Sequence, residues 1–405
     1  MRLVSMRPFE LDFCYNYVMK LARRKICYPI MNRVHYARQK HLLGALQKDK
    51  GIDLQLVVGG SALLEKYGEK YLHAIKDAGF AVADTLYTVI EGGNHVTMAK
   101  TAGLTALEFA NSLYKLNPDI VLIRGDRFEQ LAIAMVSAYQ NKTIAHIEGG
   151  DVTGTIDESV RHAITKLAHL HFVTNEDARK RVIQMGENPS LVFNVGSPDV
   201  EFAARVSSKA NPESINATGT GAKIDVGMPY LMVMFHPVTT EKENRTHMET
   251  LLRVIDGVNM QAVWFWPNSD AGTAEMAKAI RVYRELGKIK NNKIRFVIDV
   301  APDDFIMLLR GTKALIGNSS AGIKESSYLG TPVVNIGTRQ AGRLRGPNVV
   351  DAGYEGSEIK KALDAQIAHG AYPCSGLYYK KDTSKKIVEI LKKTPLYSQK
   401  KFYEI

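Results

Sequence analysis

The 405-residue chain has only three cysteines, Cys14, Cys27 and Cys374. An odd, scattered set excludes a disulfide framework and a thiolate metal cluster, so no structural zinc is expected and a reducing compartment fits. Long apolar runs are missing too. No segment reaches the ~18 uninterrupted apolar residues of a membrane span, and Glu10 and Asp12 break the first apolar stretch, against a secretory signal. The expectation is a soluble, cytoplasmic protein with no membrane partner. Nothing matches G-x-G-x-x-G or a Walker lysine loop, so nicotinamide and P-loop readings fall away and no cofactor is expected. "VVGGS" and "GGNH" show only turn glycines. RNP-like, zinc-finger and helix-turn-helix patterns are absent as well, which argues against a nucleic-acid partner despite a formal net charge of +11.

Much of that charge lies in "YYKKDTSKKIVEILKKTPLYSQKKF" (378–402), where lysines alternate with Ile387, Ile390 and Leu391 at helical spacing. An amphipathic helix with a solvated basic face accounts for it. The length suits two domains of about 200 residues each. Short β-rich runs alternate with helical patterns throughout: "KICYPIM", "LQLVVGG", "DIVLIRGD", "TIAHIEGG" and "HLHFVTN", then "YLMVMFHP", "AVWFWP", "IRFVIDV", "ALIGNSS" and "VVNIGT". Such alternation predicts α/β architecture with parallel sheets, as two doubly wound Rossmann-like domains facing a cleft. Boundaries are drawn at an N-terminal extension 1–24, a first domain 25–206 and a second domain 207–379, with a terminal helix in 380–405 packing back on the first. The stretch 207–229, poor in apolar residues, reads as the linker. Met19 begins "MKLARRKICYPI", which resembles a protein start, so residues before it are either an appended helix or an upstream initiation artefact.

Acids gather in "HIEGGDVTGTIDESVRH" (146–162), where Glu148, Asp151, Asp157 and Glu158 follow a short apolar strand. A hydrated loop is the bland explanation, but the ends of strands are where open α/β sheets hold ligands. Other strand ends carry Asp126 with Arg127 and, in the second half, His236. Singly each is a cap or turn residue; together they suggest one site. In "IGNSSAGIKESSYLG" (316–330) a strand leads through small residues toward a helix, and Ser319, Ser320 and free amides there suit an anion. Glu325 is an acid placed to accept two ribose hydroxyls, and Arg33 and Arg339 supply charge from each side. His169 and His171 share a spacing that metals use, but no acid or thiol completes a set, and a structural role is preferred.

"GDRFEQLAIA", "HIEGGDVTGTIDESVRHAITKLAH", "HPVTT", "NSDAG", "IGNSSAGIKESSYLGTPVVNIGTRQAGR" and "YPCS", in that order, resemble the hydrolysing UDP-N-acetylglucosamine 2-epimerases, over about residues 24–395. The family includes bacterial sialic-acid pathway enzymes and the epimerase half of the animal bifunctional epimerase/kinase. The resemblance implies a glycosyltransferase-B-like fold, a UDP-sugar as partner, a homodimer or homotetramer, and conversion of UDP-N-acetylglucosamine and water to N-acetylmannosamine and UDP through a glycal. Non-hydrolysing relatives read "HVEAGLR" with a later "PEE", so "HIEGG" and "GTID" point to the hydrolysing branch. It implies Asp126, Glu148, Asp157 and His236 as catalytic residues. Arg33, His35, Arg127, Arg161, Phe305, Ser319, Ser320, Glu325 and Arg339 follow as substrate-binding ones, Phe305 near the uracil; no metal is implied. Inversion at C2 needs one group to take a proton from one face and another to return one to the opposite face, hence several acids.

Two departures stand out. "NRVHYAR" carries His35 where the family has Asp and Arg38 where it has Lys, and Ala62 stands at a usual His. Both stretches are expected to face the cleft and to put the sugar in question, with the 2,4-diacetamido trideoxy sugar nucleotide of the legionaminic acid route as the other family substrate. A non-catalytic UDP-sugar-binding regulator and a glycosyltransferase on the same scaffold are the alternatives. A nucleotide feedback site, known in some members, would involve Lys278 and Arg281.

Overall fold

Strand β1 (Arg24–Ile30) alternates Ile26, Tyr28 and Ile30 on one face with Cys27 on the other, and both faces are buried. Burial on both sides is what a parallel sheet covered by helices requires. The computed structural model describes residues 23–64, 70–207, 211–286, 293–396 and 399–404. The N-terminal extension therefore lies outside the described residues except for Arg23 and Arg24, and Cys14 and Met19 with it.

The first sheet adds β2 (Ile52–Gly59), β3 (Val82–Leu86), β4 (Ile120–Arg124), β5 (Thr143–Ile147), β6 (Leu170–Val173) and β7 (Val192–Asn194). All seven strands run parallel, in the order β3-β2-β1-β4-β5-β6-β7. The second sheet holds β8 (Thr220–Gly221), β9 (Tyr230–Met234), β10 (Gln261–Phe265), β11 (Ile294–Val297), β12 (Ala314–Gly317), β13 (Val333–Ile336) and β14 (Val349–Ala352), ordered β14-β13-β12-β9-β10-β11-β8. Only β8 is antiparallel among these. Each domain is thus doubly wound, with its strand order reversing beside its first parallel strand: between β1 and β4 in one, between β9 and β12 in the other. The architecture is α/β and glycosyltransferase-B-like.

Residues 211–229 depart from the linker reading. A helix, Pro212–Ala217, and β8 are folded onto the second sheet, with Ile215 and Ile224 buried in its core. The physical reason is Arg295 of β11, whose guanidinium donates to the carbonyls of Asn216, Thr218, Gly219 and Gly221 and so satisfies a polar backbone that no hydrophobic pattern marks.

The chain returns through the helix Thr383–Lys393, whose Ile387, Val388 and Leu391 complete the core beneath β1. Arg24 at the start of β1 donates to the carbonyls of Leu391 and Thr394, at 2.5 and 2.8 Å. Among the described residues no helix is long and apolar enough to cross a membrane.

Candidate active site

The two reversal points face one another, and loops after β1, β4, β5, β9 and β12 meet around a cavity of about 270 Å³. Arg33, His35, Asp126, Arg127, Glu148, Asp157, Arg161, His236, Phe305, Ser319, Ser320 and Arg339 all line it. Glu325 does not; it is fully buried behind the wall.

Glu148 follows β5 with φ of +71°, a left-handed conformation rare outside glycine, which turns the carboxylate out of the strand direction toward the second domain. The two glycines after it are required by packing. A Cβ on Gly149 would lie 2.8 Å from Thr165 Oγ1, and one on Gly150, at φ +82°, 2.4 Å from the Ala178 carbonyl. Glu148 meets Lys324 Nζ at 2.5 Å and Arg124 Nη2 at 3.1 Å. Burial alone would raise its pKa, but Arg124 and Lys324 outweigh that and hold it ionised, well below the usual carboxylate range.

Asp126 is bound by Arg161, which is itself buried and anchored to the Asp151 carbonyl at 2.7 Å. Here too burial is outweighed, by Arg161 and then Arg343, and the carboxyl lies far below its ordinary range. Asp157 differs. It sits in the first turn of the helix Ile156–Leu167, half-buried, with Arg339 Nη2 at 3.9 Å. Burial, then the negative charges of Asp126 and Asp270, push its pKa up to about 6. Three carboxyls on one wall therefore have two proton affinities, the pattern by which one site separates ionic from proton-transfer roles.

Both cavity histidines are neutral with a defined tautomer. The Met31 backbone N–H donates to His35 Nδ1 at 3.3 Å, beside the Gln130 amide at 3.0 Å, and the Asn268 N–H donates to His236 Nδ1 at 3.2 Å. A backbone amide can only donate, so each Nδ1 is the acceptor and each Nε2 carries the hydrogen. Burial, with Arg124 and Arg127 for His35 and Arg339 for His236, lowers both pKa values, His236 to about 3.

The opposite wall is basic and hydroxylic. Arg339 is fixed to the Asn318 carbonyl at 3.2 Å, and Ser319 accepts from the Ala321 N–H. The serines open a 3-10 turn, Ser320–Gly322, followed by a short helix, Glu325–Leu329, which Gly330 at φ +70° stops. Arg127 joins the domains through Asp270 at 2.7 Å, and Arg33 through the Ile298 carbonyl at 2.6 Å. Phe305 stands edge-on to Phe265.

Several residues of the site escape sequence reasoning. Asp199 is wholly buried and binds Arg124 at 2.5 Å, Lys324 at 3.3 Å and Gln39 at 2.5 Å. Arg38 bridges from the first domain to Glu325 Oε1 at 3.0 Å, with its guanidinium carbon 5.6 Å from the Phe305 ring centre. Three cations and three carboxylates thus form one buried network across the domain interface. Arg124 ends a wholly apolar strand, "IVLIR", and that misplaced charge was its available signal. Ala62 corrects an expectation: it does not line the cavity but packs in the first-domain core. His171 is bound to Glu187 at 3.0 Å, and His169 Nδ1 accepts from the Ile144 N–H, both in structural positions.

Comparison with known proteins gives the family and the fold. Residues 44–392 match the profile of the UDP-N-acetylglucosamine 2-epimerase family. The chain is 31% identical over 377 residues to the UDP-N,N'-diacetylbacillosamine 2-epimerase (hydrolyzing) of Legionella pneumophila, covering 93% of this chain and 97% of that one. It is 31% identical over 355 residues to the UDP-N-acetylglucosamine 2-epimerase of Neisseria meningitidis, covering 87% and 89%. A crystal structure of UDP-GlcNAc 2-epimerase from Neisseria meningitidis bound to UDP-GlcNAc superposes with a TM-score of 0.74 at 15% identity, over 91% of this chain and all of that one, and shares the fold. The chain belongs to the UDP-N-acetylglucosamine 2-epimerase family.

Proposed function

We propose that the protein is the hydrolysing type of 2-epimerase, turning UDP-N-acetylglucosamine and water into N-acetylmannosamine and UDP for sialic-acid-type sugar synthesis. The observation that carries the reading is the opposition of Asp126, Glu148 and Asp157 on one wall to His236, Ser319, Ser320 and Arg339 on the other. The diphosphate lies against the second wall, where hydroxyls, the His236 Nε2–H and a guanidinium stabilise negative charge as it develops on the leaving oxygen. Asp157, with proton affinity near the working pH, takes the C2 proton. The C1–O bond breaks with its electron pair leaving on UDP, and C1=C2 forms the glycal. Asp126 and Glu148 stay ionised, stabilising positive character at C1. Water then adds its hydroxyl to C1, and a proton returns to the other face of C2.

Proton NMR in D2O tests this. The expected products are free N-acetylmannosamine bearing deuterium at C2, with UDP. Retention of UDP on an epimerised sugar assigns the non-hydrolysing reaction, binding without turnover a regulator, and acceptor-dependent UDP release a transferase. The name of the Legionella relative favours a second substrate, the UDP-diacetamido sugar, for which the same spectra serve.

The reading includes a homo-oligomer. Val96, Leu107 and Tyr114 (63, 69 and 82% exposed) form one stripe on the helix His95–Leu116, beside exposed Met135 and Tyr139 on the adjoining helix Phe128–Tyr139. A monomeric mass by light scattering would contradict it.

A further inference from the structure

The basic C-terminal stretch is not uniformly solvated. Lys400 is mostly buried, and its ammonium donates to the carbonyls of Thr165 and Lys166 at 3.2 and 2.6 Å. Those carbonyls belong to the last turn of the helix Ile156–Leu167, where backbone acceptors are short of partners, Thr165's otherwise accepting only from the cap Ala168 N–H at 3.2 Å, and the dipole favours a cation. The same ammonium lies 2.6 Å from Glu187 Oε2, and Glu187 also holds Lys166 at 2.7 Å and His171 of β6 at 3.0 Å. Burial acts to raise the Glu187 pKa, but hydrogen bonds from His171, Lys166 and Lys400 bring it down to about 2, so the clamp is ionic.

Two further contacts lie beside it. The Tyr403 N–H donates to the Gly186 carbonyl at 3.0 Å. Phe402, otherwise exposed, lays its ring on Gly186, where a Cβ would come within 2.3 Å of the ring, and Lys166 Nζ stands 5.2 Å from its centre.

The other end of this helix carries Asp157, and its middle carries Arg161, the partner of Asp126. At that front end the cap residue Thr155 makes no side-chain cap bond, while Glu158 Oε2 accepts from the Thr153 N–H at 2.5 Å and Arg161 ties the middle of the helix to Asp126 and the Asp151 carbonyl. A helix of twelve residues spans about 18 Å and moves as a rigid rod, so a clamp on its last turn and the Arg161 anchor in its middle together set where its first turn points.

We propose that residues 399–404 form a strap that fixes the helix Ile156–Leu167, with Lys400 as the positioning residue for Asp157 at the far end. The proposal rests on the reading of Asp157 as the proton-transfer group. Lys400 touches no cavity residue among those named; it acts through the helix.

The test compares Lys400→Met, Lys400→Arg and a chain ending after Leu396, by hydrogen exchange of the free protein and by turnover of UDP-N-acetylglucosamine. Lys400→Met and the shortened chain are expected to exchange the amides of 164–168 faster and to lose about 10-fold or more in kcat, with KM and UDP affinity within about twofold. Lys400→Arg, which keeps charge and donors, is expected to restore most of the loss. Wild-type exchange in both crippled forms overturns the strap, and faster exchange with unchanged kcat overturns its link to Asp157. Parallel loss of kcat, KM and UDP affinity, unrelieved by Lys400→Arg, means general loosening and also counts against it. The exchange arm needs no substrate, so if the unaltered protein proves inactive on UDP-sugars, the functional reading fails while the strap is still judged.

Discussion

Lys324 of the second domain places its ammonium 2.5 Å from Glu148 Oε1 of the first, with both side chains buried. An ion pair that spans a domain interface is made only when the two domains are together. Each also has a second partner, Arg124 for Glu148 and Asp199 for Lys324. Removing one of the pair nevertheless leaves the network of three cations and three carboxylates with one uncompensated buried charge, at a cost of up to about 3–5 kcal/mol, whereas removing both keeps it balanced. Lys324→Met is therefore expected to lower the thermal midpoint more than Lys324→Met combined with Glu148→Gln. Additive losses across this double-mutant cycle would show that the pair is not coupled.

Asp157 gives a pH signature. If its carboxylate takes the C2 proton, kcat/KM rises through an apparent pKa near 6, and Asp157→Asn loses at least ~100-fold and flattens that limb. Stability runs the other way. The folded-state pKa lies above the unfolded value, so Asp157 contributes stability at low pH that is lost as pH rises from about 4 to 6. Asp157→Asn is expected to melt higher than the parent at pH 7 and equally at pH 3.5. A lower midpoint at pH 7 would contradict the raised pKa.

The second wall is tested with UDP alone. Ser319→Ala with Ser320→Ala, and Arg339→Ala separately, are expected to weaken UDP binding by about 10-fold each, on the scale of lost charge-assisted hydrogen bonds. Calorimetry reads this directly, and unchanged affinity would reduce the serines to a turn cap.

Selectivity separates His35 from Ala62. His35 presents a neutral Nε2–H at the cavity, so His35→Asp replaces a donor by an acceptor and is expected to shift kcat/KM between UDP-N-acetylglucosamine and the diacetamido sugar by at least about 10-fold. Ala62→His instead overfills the first-domain core, and about 1–3 kcal/mol of stability should go with no change in preference. Competition between the two sugars, monitored with each variant, decides; a selectivity change from Ala62→His would reverse the assignment.

How far the residues disclose this arrangement varies by element. Asp126 and Glu148 are legible because a carboxylate just past an apolar strand has no packing reason to be there, whereas Asp157, ten residues beyond β5, shows only as a member of an acidic cluster and through the family resemblance. Strands β3, β7 and β14 are not, since they are short, partly exposed edge or near-edge strands without a continuous apolar run. The pairs Arg38–Glu325 and Lys324–Asp199 leave no local trace, because their partners lie far apart in the chain and meet only when the cleft assembles. Residues 211–229 misread for the same reason: Arg295, which holds them, arrives from β11. The Glu325 reading presumed an open ribose site, whereas Arg38 stands on that carboxylate.

The helix Thr383–Lys393, which fills the core under β1, also bears on how the molecule is made. A ribosome releases the second domain's strands before it releases this helix, so the first sheet waits, its underside lacking Ile387, Val388 and Leu391, while the later domain is already complete. The half that is synthesised first is thus finished last, and a chain stalled before residue 383 exposes an apolar floor to any chaperone that binds such surfaces.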